Sequence, residues 1–556
     1  MYKKTILVHL TAILATLLVL SACSSANDNN KAGHGDIDSD GDIDTEDISS
    51  EEDKDSDFFE ERAEDNLPEG LPFEYTRPDA GEPLSPEEVD TFTQKMIDFY
   101  KDTAYFDWLL RMSHGIDAST GKRDYRLWWR DCHAVKDGDK VTMVHNYSEE
   151  HGGHNILKVN SNILSSAIGG YLLTGNETLG KLSEQYCKGI SSTMLGMVHD
   201  ENDTVLHLMT RNVVTFNHSY KTHDGYDKAV DYSKWFFPYD RWNCSRFSYE
   251  NNPYWGEVWI TNTRSKDGLG YLFDASVPIL YASLRAQDEE VRLACSETID
   301  LLQKFTKDIV DNGYNIRTKD AEGNPYTPGI DEGPEEADTG DLASFVTWDL
   351  LLPDAECNNK QAAALLAYGD LQDNECTPFG GNKIYEKFSI ENNAPNGHIM
   401  RAFHIANIKL SLLNGYNDKA QASLEGLDER FTRDMANDLS KVNTSPDGWL
   451  RDLISNKLQA AGAGYPMTSE EVRLLHNYLT RSTEAFSNWP TWNLWDKSVA
   501  DGEHEWLPPD YEKDDEGARI YRIGSEALAL IMEYCWSPFK NPDGVQPVNC
   551  EMLSNL

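Results

Sequence analysis

The chain has 556 residues, of which 39% are hydrophobic and 11% aromatic, so it is long enough and apolar enough to bury a large core. This length suits two or three average domains, or one large architecture with a tail. The formal net charge of −44 and the isoelectric point near 4.6 argue against nucleic-acid binding, because phosphate contacts require a basic surface.

The first 23 residues predict export. Lys3 and Lys4 precede an apolar run over residues 6–20, which is typical of a secretory signal and too short for a good membrane-spanning helix. The run ends in Leu-Ser-Ala-Cys, which resembles a bacterial lipoprotein box. The resemblance implies cleavage before Cys23, lipid on its thiol and attachment to the bacterial cell envelope, with the membrane contacted through the lipid anchor only.

Residues 24–83 are predicted to be a disordered acidic linker. From Asp36 to Asp65 there are sixteen Asp and Glu residues against Lys54 and Arg62, a composition that cannot bury enough apolar surface to fold. The sequence DIDSDGDIDTED within it resembles the calcium loops of dockerin and thrombospondin type 3 repeats. Weak Ca²⁺ binding is one interpretation and a merely solvated linker is the other. The candidate ligands are Asp36, Asp38, Asp40, Asp42 and Asp47.

Eight cysteines remain after Cys23, and an even number in an exported protein permits disulfides. Cys357–Cys376 and Cys535–Cys550 are the pairs closest in sequence, although spacing alone does not determine the connectivity.

Residues 84–556 are predicted to fold as one all-α domain. Ser85-Pro86-Glu87-Glu88 is a capping box that begins a first helix. Apolar residues then recur at helical spacing in pairs of helices joined by tight turns, over 156–190, 269–310 and 399–431, with a looser pair region at 470–485 and a final helix at 523–534. Hairpins at irregular intervals favour an α/α toroid, with a helical bundle as the alternative. The long loops at 217–262, 312–345, 374–396 and 487–518 would gather at one end and form the site.

The segment from Arg211 to Lys266 differs from the rest of the chain in charge. It carries eight Lys and Arg against six Asp and Glu, with four Trp and ten Phe and Tyr. Aromatic rings beside cationic and amide groups suit an anionic sugar polymer. The alternative is an aromatic-rich loop of the core.

Two motifs bracket this segment. The first is Asn217-His218-Ser219-Tyr220, and the second runs from Arg264 to Tyr271 as RSKDGLGY. Together they resemble the alginate lyases, α/α-toroid polysaccharide lyases with an Asn-Asn-His-Ser-Tyr-Trp motif followed by Arg-x-Lys-x-x-Leu-x-Tyr. Phe216 and Lys221 depart from the first motif, which affects the fit of the substrate.

The resemblance implies β-elimination on a uronate-containing polysaccharide, and the chemistry of these groups agrees. Asn217 and Arg264 would hydrogen-bond or neutralise the sugar carboxylate so that the neighbouring proton can be removed. Tyr271 would act as base, as acid or as both, and His218 would take the remaining role. No metal or other cofactor is required. The candidate substrate-binding residues are Tyr220, Lys266, Trp255, Arg241, Arg246 and His154.

Two alternatives remain open. A toroid glycoside hydrolase would use a carboxylate pair, with Glu257 and Asp267 as candidates and Asp224 and Asp240 as substitutes. A surface glycan-binding lipoprotein would use the aromatic rings without turnover. For the lyase, the expected partner is an acidic polysaccharide, and a monomer is expected.

Overall fold

The structure is a computed structural model of the chain, which divides into two compact units, Met1–Ser56 and Asp57–Leu556. The described residues all belong to the second unit. Among them, no helix is both long and apolar enough to span a membrane. The structure describes residues 67–77, 81–103, 105–111, 132–137, 140–145, 156–210, 212–215, 219–220, 228–229, 246–261, 268–327, 357–371, 397–438, 446–488, 528–542 and 544–556.

The described part of the chain is mostly helical, as predicted. Its helices are α1 (Pro86–Asp102), α2 (Tyr105–Arg111), α3 (Ile156–Thr174), α4 (Glu177–Leu195), α5 (Leu269–Arg285), α6 (Glu289–Asp311), α7 (Cys357–Tyr368), α8 (Gly397–Leu413), α9 (Asn417–Asp438), α10 (Pro446–Ala461), α11 (Ser469–Asn488), α12 (residues 528–536) and α13 (Cys550–Leu553).

The first helix begins where the capping box predicts. The Oγ of Ser85 accepts a hydrogen bond from the backbone N–H of Glu88 at 3.1 Å, and Pro86 occupies the first turn. The apolar face of α1, which includes Phe92, Met96 and Tyr100, is buried.

Three predicted helical hairpins are confirmed: α3–α4, α5–α6 and α8–α9. The first turns at Gly175, whose φ of +68° favours glycine, and at Asn176, whose side chain caps α4. The second turns at Asp288, whose carboxylate accepts from the N–H groups of Glu290 and Val291.

Equivalent helices of the first two hairpins, α3–α4 and α5–α6, are neighbours and run in the same direction. Along α4 and α6, Gly180 lies near Val291, Cys187 contacts Cys295, and Ser191 contacts Thr298. The contacts advance together along both helices, so α4 and α6 are parallel.

The first helices of the hairpins behave in the same way. Leu157 at the start of α3 packs at Gly268, just before α5, and the Tyr171 hydroxyl near the end of α3 accepts from the N–H of Asp288 beyond α5. On α5 and α8, Gly270 lies against Ala402, and a Cβ at Gly270 would lie 3.1 Å from the Ala402 Cβ. A side chain at Gly270 would therefore crowd α8, and this close approach favours glycine.

The predicted loop at 217–262 is not free of regular structure, which corrects the sequence interpretation. It contains β4 (Ser219–Tyr220), β5 (Lys228–Ala229), β6 (Arg246–Asn252) and β7 (Gly256–Thr261), and β6 and β7 form a sheet with the preceding β3 (Asn212–Thr215) in the order β3-β7-β6. Alternating apolar residues such as Phe247, Tyr249, Val258 and Ile260 bury one face of this sheet. Three further pairs are antiparallel: β4–β5, β1 (Cys132–Asp137) with β2 (Lys140–His145), and β8 (Thr318–Lys319) with β9 (Pro325–Tyr326).

Asn252 fastens the β6–β7 sheet to the end of α4. Its Nδ2 donates to the carbonyl oxygens of Leu195, Gly196 and Val198, at 2.8, 3.2 and 2.7 Å. Its Oδ1 accepts from the N–H groups of Tyr254 and Trp255. One buried amide therefore satisfies carbonyl groups at the end of α4 and N–H groups in the turn between β6 and β7.

The boundary predicted at residue 83 differs from the structure, because residues 67–77 pack against the helical domain. Leu67 is buried, and the Tyr281 hydroxyl donates to the carbonyl of Pro68 at 2.6 Å. Arg77 forms an ion pair with Asp428 at 3.0 Å. The apolar residues of LPEGLPFEY distinguish this stretch from the acidic sequence before it, which lies outside the described residues.

The disulfide Cys535–Cys550 predicted from proximity in sequence is present and joins α12 to α13. Of the other predicted pair, Cys376 lies outside the described residues.

Candidate functional site

Five helices, α3, α5, α8, α10 and α12, contribute to a group of buried polar side chains in the interior of the domain. We call this group the interior polar cluster. Each of its members is 3% exposed or less. They are Asn162, Tyr271, Asp274, Arg401, Lys409, Asn456, Gln459 and Glu533. Buried polar groups destabilise a fold unless they are paired, so the contacts within this group decide its energetic cost.

Gln459 links three of these helices. Its Nε2 donates to Oδ1 of Asn162 at 2.9 Å and to Oδ2 of Asp274 at 3.3 Å. Its Oε1 accepts from Nδ2 of Asn456 at 3.1 Å. The network thereby ties α3, α5 and α10 together through neutral amides and one carboxyl group.

Tyr271, the one predicted catalytic residue within the described part of the chain, belongs to this cluster. It lies in the first turn of α5 and is 1% exposed. Nδ2 of Asn456 donates to its hydroxyl oxygen at 3.5 Å, and Oδ1 of the same amide accepts from Nε of Arg401 at 3.0 Å. The ammonium of Lys158 lies 5.2 Å from the centre of the Tyr271 ring. Amide N–H groups and cations are the groups that stabilise negative charge on an oxygen.

Lys409 joins the two carboxyl groups of the cluster. Its Nζ lies 2.8 Å from Oδ1 of Asp274 and 2.6 Å from Oε1 of Glu533. Burial raises the pKa of Glu533 to about 7, although the Lys409 ammonium acts against this, and burial also raises the pKa of Asp274. Burial acts to lower the pKa of Lys409, yet Asp274 and Glu533 together raise it.

A second ionic group lies next to the cluster on α10. Lys457 follows Asn456 and pairs with Glu471, and its Nζ also lies 4.1 Å from the centre of the Phe431 ring. Burial lowers the pKa of Lys457 to about 8, with the Glu471 carboxylate opposing the shift. Arg77 binds the other oxygen of Glu471 at 2.7 Å, so this group also holds residues 67–77 in place.

Trp255, predicted to bind substrate, lies in a different environment. It is 3% exposed and packs in a second apolar cluster between β6, β7 and the end of α4, with Met197, Phe247, Tyr249, Val258 and Ile260. Within the described residues its Nε1 has no hydrogen-bond partner. In this structure Trp255 is a core side chain and not an open stacking surface.

For Tyr220 and Arg246 the structure describes the backbone, which pairs with Lys228 and Thr261 respectively. The carboxylate candidate Glu257 lies on β7 and is exposed. The remaining predicted residues lie outside the described part of the chain. They are Asn217, His218, Arg264, Lys266, Arg241, His154, Asp267, Asp224, Asp240, Cys23 and the linker residues Asp36, Asp38, Asp40, Asp42 and Asp47.

Within the ranges that the structure describes, no three His, Cys, Asp or Glu side chains group together as a metal site.

The residues of the interior polar cluster other than Tyr271 were not predicted from the sequence. The signal for them was polar residues inside otherwise apolar helices. In α8, Arg401, His404, Asn407 and Ser411 recur every three or four positions and are all buried. A buried helix with both a polar and an apolar face packs its polar face against polar partners in the interior.

Comparison with models of known protein families, with curated proteins and with solved structures finds no match to this chain. The functional conclusion therefore rests on the geometry and on the sequence motifs.

Proposed function

We propose that the protein is a polysaccharide lyase that cleaves an acidic, uronate-containing polysaccharide by β-elimination, within an α/α toroid. The observation that carries the proposal is the position of Tyr271. Its phenol is held by an amide that also binds a guanidinium, in the interior of a helical-hairpin domain.

The helix arrangement supports the toroid. In a ring of helical hairpins, the first helices of successive hairpins run parallel on the inside and the second helices run parallel on the outside. The pairs α3 with α5, α5 with α8, and α4 with α6 follow this pattern. The five helices of the interior polar cluster would then be the inner helices, because their polar side chains meet one another.

The contacts of Tyr271 support a role in proton transfer. Elimination needs a base for the proton beside the sugar carboxylate and an acid for the departing oxygen. Asn456 donates to the Tyr271 oxygen and the Lys158 ammonium lies beside the Tyr271 ring, and both contacts would favour a negatively charged phenolate acting as a base. Arg401 shares Asn456 with Tyr271 and supplies a guanidinium for the sugar carboxylate. Because Tyr271 is 1% exposed, substrate reaches it only after the surrounding side chains move.

The motif residues complete the proposed chemistry. Asn217 and Arg264 would bind the sugar carboxylate, and His218 would share acid and base duties with Tyr271. The second motif, from Arg264 to Tyr271, ends in the first turn of α5.

The enzyme would act at the bacterial cell envelope. Residues 1–23 would direct export, Cys23 would carry the lipid, and the acidic linker, with or without bound Ca²⁺, would hold the catalytic domain away from the envelope. Electrospray mass analysis of the protein from a bacterial membrane fraction tests this, since an unlipidated N-terminus would contradict it.

Activity is tested with the purified full chain and separate samples of alginate, glucuronan, pectin and glycosaminoglycans. A lyase produces an unsaturated uronate, so ultraviolet absorbance should rise in at least one sample. New reducing ends without absorbance would indicate a hydrolase instead, and binding without turnover would indicate a glycan-binding protein.

The role of Tyr271 is tested against a matched tyrosine on the same helix. Tyr271→Phe should lower kcat by at least about 100-fold, because it removes the proton-transfer group. Tyr281→Phe also removes a buried hydroxyl from α5, one that donates to Pro68, and should leave kcat unchanged. Equal activity of the two variants would rule out the assignment of Tyr271.

A further inference from the structure

Two buried cysteines on neighbouring helices lie in contact. The Sγ atoms of Cys187 on α4 and Cys295 on α6 are 3.2 Å apart, although the residues are separated by 108 positions in the chain. Both are 0% exposed and both are thiols in this structure. The spacing of the cysteines in the sequence predicts no partner for either of them.

The contacts around the pair hold the two helices in register. One turn further on, Oγ of Ser191 and Oγ1 of Thr298 lie 2.9 Å apart. Oγ1 of Thr298 also donates to the carbonyl of Cys187 at 3.0 Å. These bonds join α4 and α6 at the thiols and one turn beyond them, and so favour the close approach of the two sulfur atoms.

The same chain already contains a disulfide between Cys535 and Cys550. A structural disulfide forms and persists only where the surroundings are oxidising, and every cysteine pair in the chain meets the same surroundings. We propose that Cys187 and Cys295 form a second disulfide in the mature protein, made by thiol–disulfide exchange with a disulfide-bearing oxidant.

The exchange has two steps that balance. The Cys187 thiolate attacks one sulfur of the oxidant's disulfide, which forms a mixed disulfide and releases the oxidant's other sulfur as a thiol. The Cys295 thiolate then attacks the Cys187 sulfur and releases the second oxidant thiol. The two protein thiols lose two electrons and two protons in total, and the oxidant takes them up as it becomes a dithiol. The roles of the two cysteines are interchangeable.

Burial determines when the bond forms. Burial raises the pKa of Cys295 well above its ordinary value, and the neighbouring Cys187 adds to the shift, so Cys295 holds little thiolate once the helices have packed. Exchange therefore occurs during folding, while the thiols are accessible. After folding, the same burial shields the bond from reductants.

The direct test is peptide mapping of the full chain, folded with a glutathione redox pair and alkylated in denaturant without reduction. A linked peptide containing Cys187 and Cys295 should appear, lighter by two hydrogens than its two thiol peptides combined. The linked Cys535–Cys550 peptide is the internal control for oxidising conditions. If that control is present while Cys187 and Cys295 are alkylated or bonded to other cysteines, the proposal is wrong.

A second measurement separates a bond from simple packing. In the non-reduced protein, Cys187→Ala and Cys295→Ala should each lower Tm by about 4 °C, and the double variant should lower it little further, because one bond needs both sulfurs. Shifts that add up in the double variant would indicate two packed thiols and would contradict the proposal.

Discussion

The ammonium of Lys409 lies 2.6 Å from Oε1 of Glu533, and the contact joins α8 to α12 across 124 positions of the chain. Both side chains are 3% exposed. Asp274 on α5 binds the same nitrogen, so three helices share one buried cation. An ionic contact of this kind makes stability depend on pH and on the presence of every partner.

The stability of the Glu533→Gln variant relative to the wild type should increase as pH rises. Burial raises the pKa of Glu533 from 4.5 to about 7, so its stabilising contribution is fully present below pH 4.5 and is lost as pH passes 7. Gln does not titrate. The free energy of unfolding of Glu533→Gln relative to the wild type should rise by roughly 2 kcal/mol between about pH 5 and about pH 8. Urea unfolding at each pH measures it, and a constant difference would contradict the prediction.

Replacing Lys409 with Met should destabilise the fold by about 3–5 kcal/mol at neutral pH, because it leaves two buried carboxyl groups without their cation. Lys304→Met is the control. Lys304 pairs with Asp300 on α6, where both side chains are more than half exposed, and should cost less than about 0.5 kcal/mol. Guanidinium unfolding compares them. Similar losses would mean that the interior contact contributes no more than a surface pair.

Asn252→Ala should detach the β6–β7 sheet from α4. The change removes the donor to three carbonyl groups and the acceptor for two N–H groups, all at a residue that is 1% exposed, and should cost about 2–4 kcal/mol. Asn324→Ala in the exposed β8–β9 turn also removes amide contacts, to Asp320, and should cost about 0.5 kcal/mol. Hydrogen exchange should accelerate at Phe247 and Ile260 in the first variant only.

Gly169→Ala should destabilise the protein although alanine favours helices. A Cβ at Gly169 would lie 2.8 Å from the Cα of Glu533, so α3 and α12 would have to separate. The expected loss is about 1–3 kcal/mol, whereas an exposed helical position would gain up to about 1 kcal/mol. Thermal unfolding measures the sign, and a rise in Tm would show that the two helices are not in close contact.

The helices were predictable because their signals are local. Apolar spacing predicts α5 from Leu269 to Leu284, one residue short of its observed end, and Ser85 predicts the start of α1. The β6–β7 sheet has a local signal as well, the alternation of Phe247 and Tyr249, but an aromatic-rich segment between two helical hairpins also fits a loop. Even where a strand is recognised, the local pattern does not specify which other strand it pairs with.

The interior polar cluster was not predictable in the same way. Asn162, Asp274 and Gln459 lie on three helices and meet only because those helices pack together. No spacing in the sequence relates them. Tyr271 was found because it belongs to a motif, whereas its neighbours Arg401 and Asn456 belong to none.

The contact between Lys409 and Glu533 also depends on a residue that is synthesised late. The ribosome makes Asp274 and Lys409 well before Glu533, so the hairpins α5–α6 and α8–α9 are complete while one of their interior partners is still unmade. Without α12, Lys409 would lack Glu533 and Gly169 of α3 would lack the backbone that packs against it. A chain that ends before α12 therefore lacks an interior partner of Lys409, and it should be a target for chaperones and proteases.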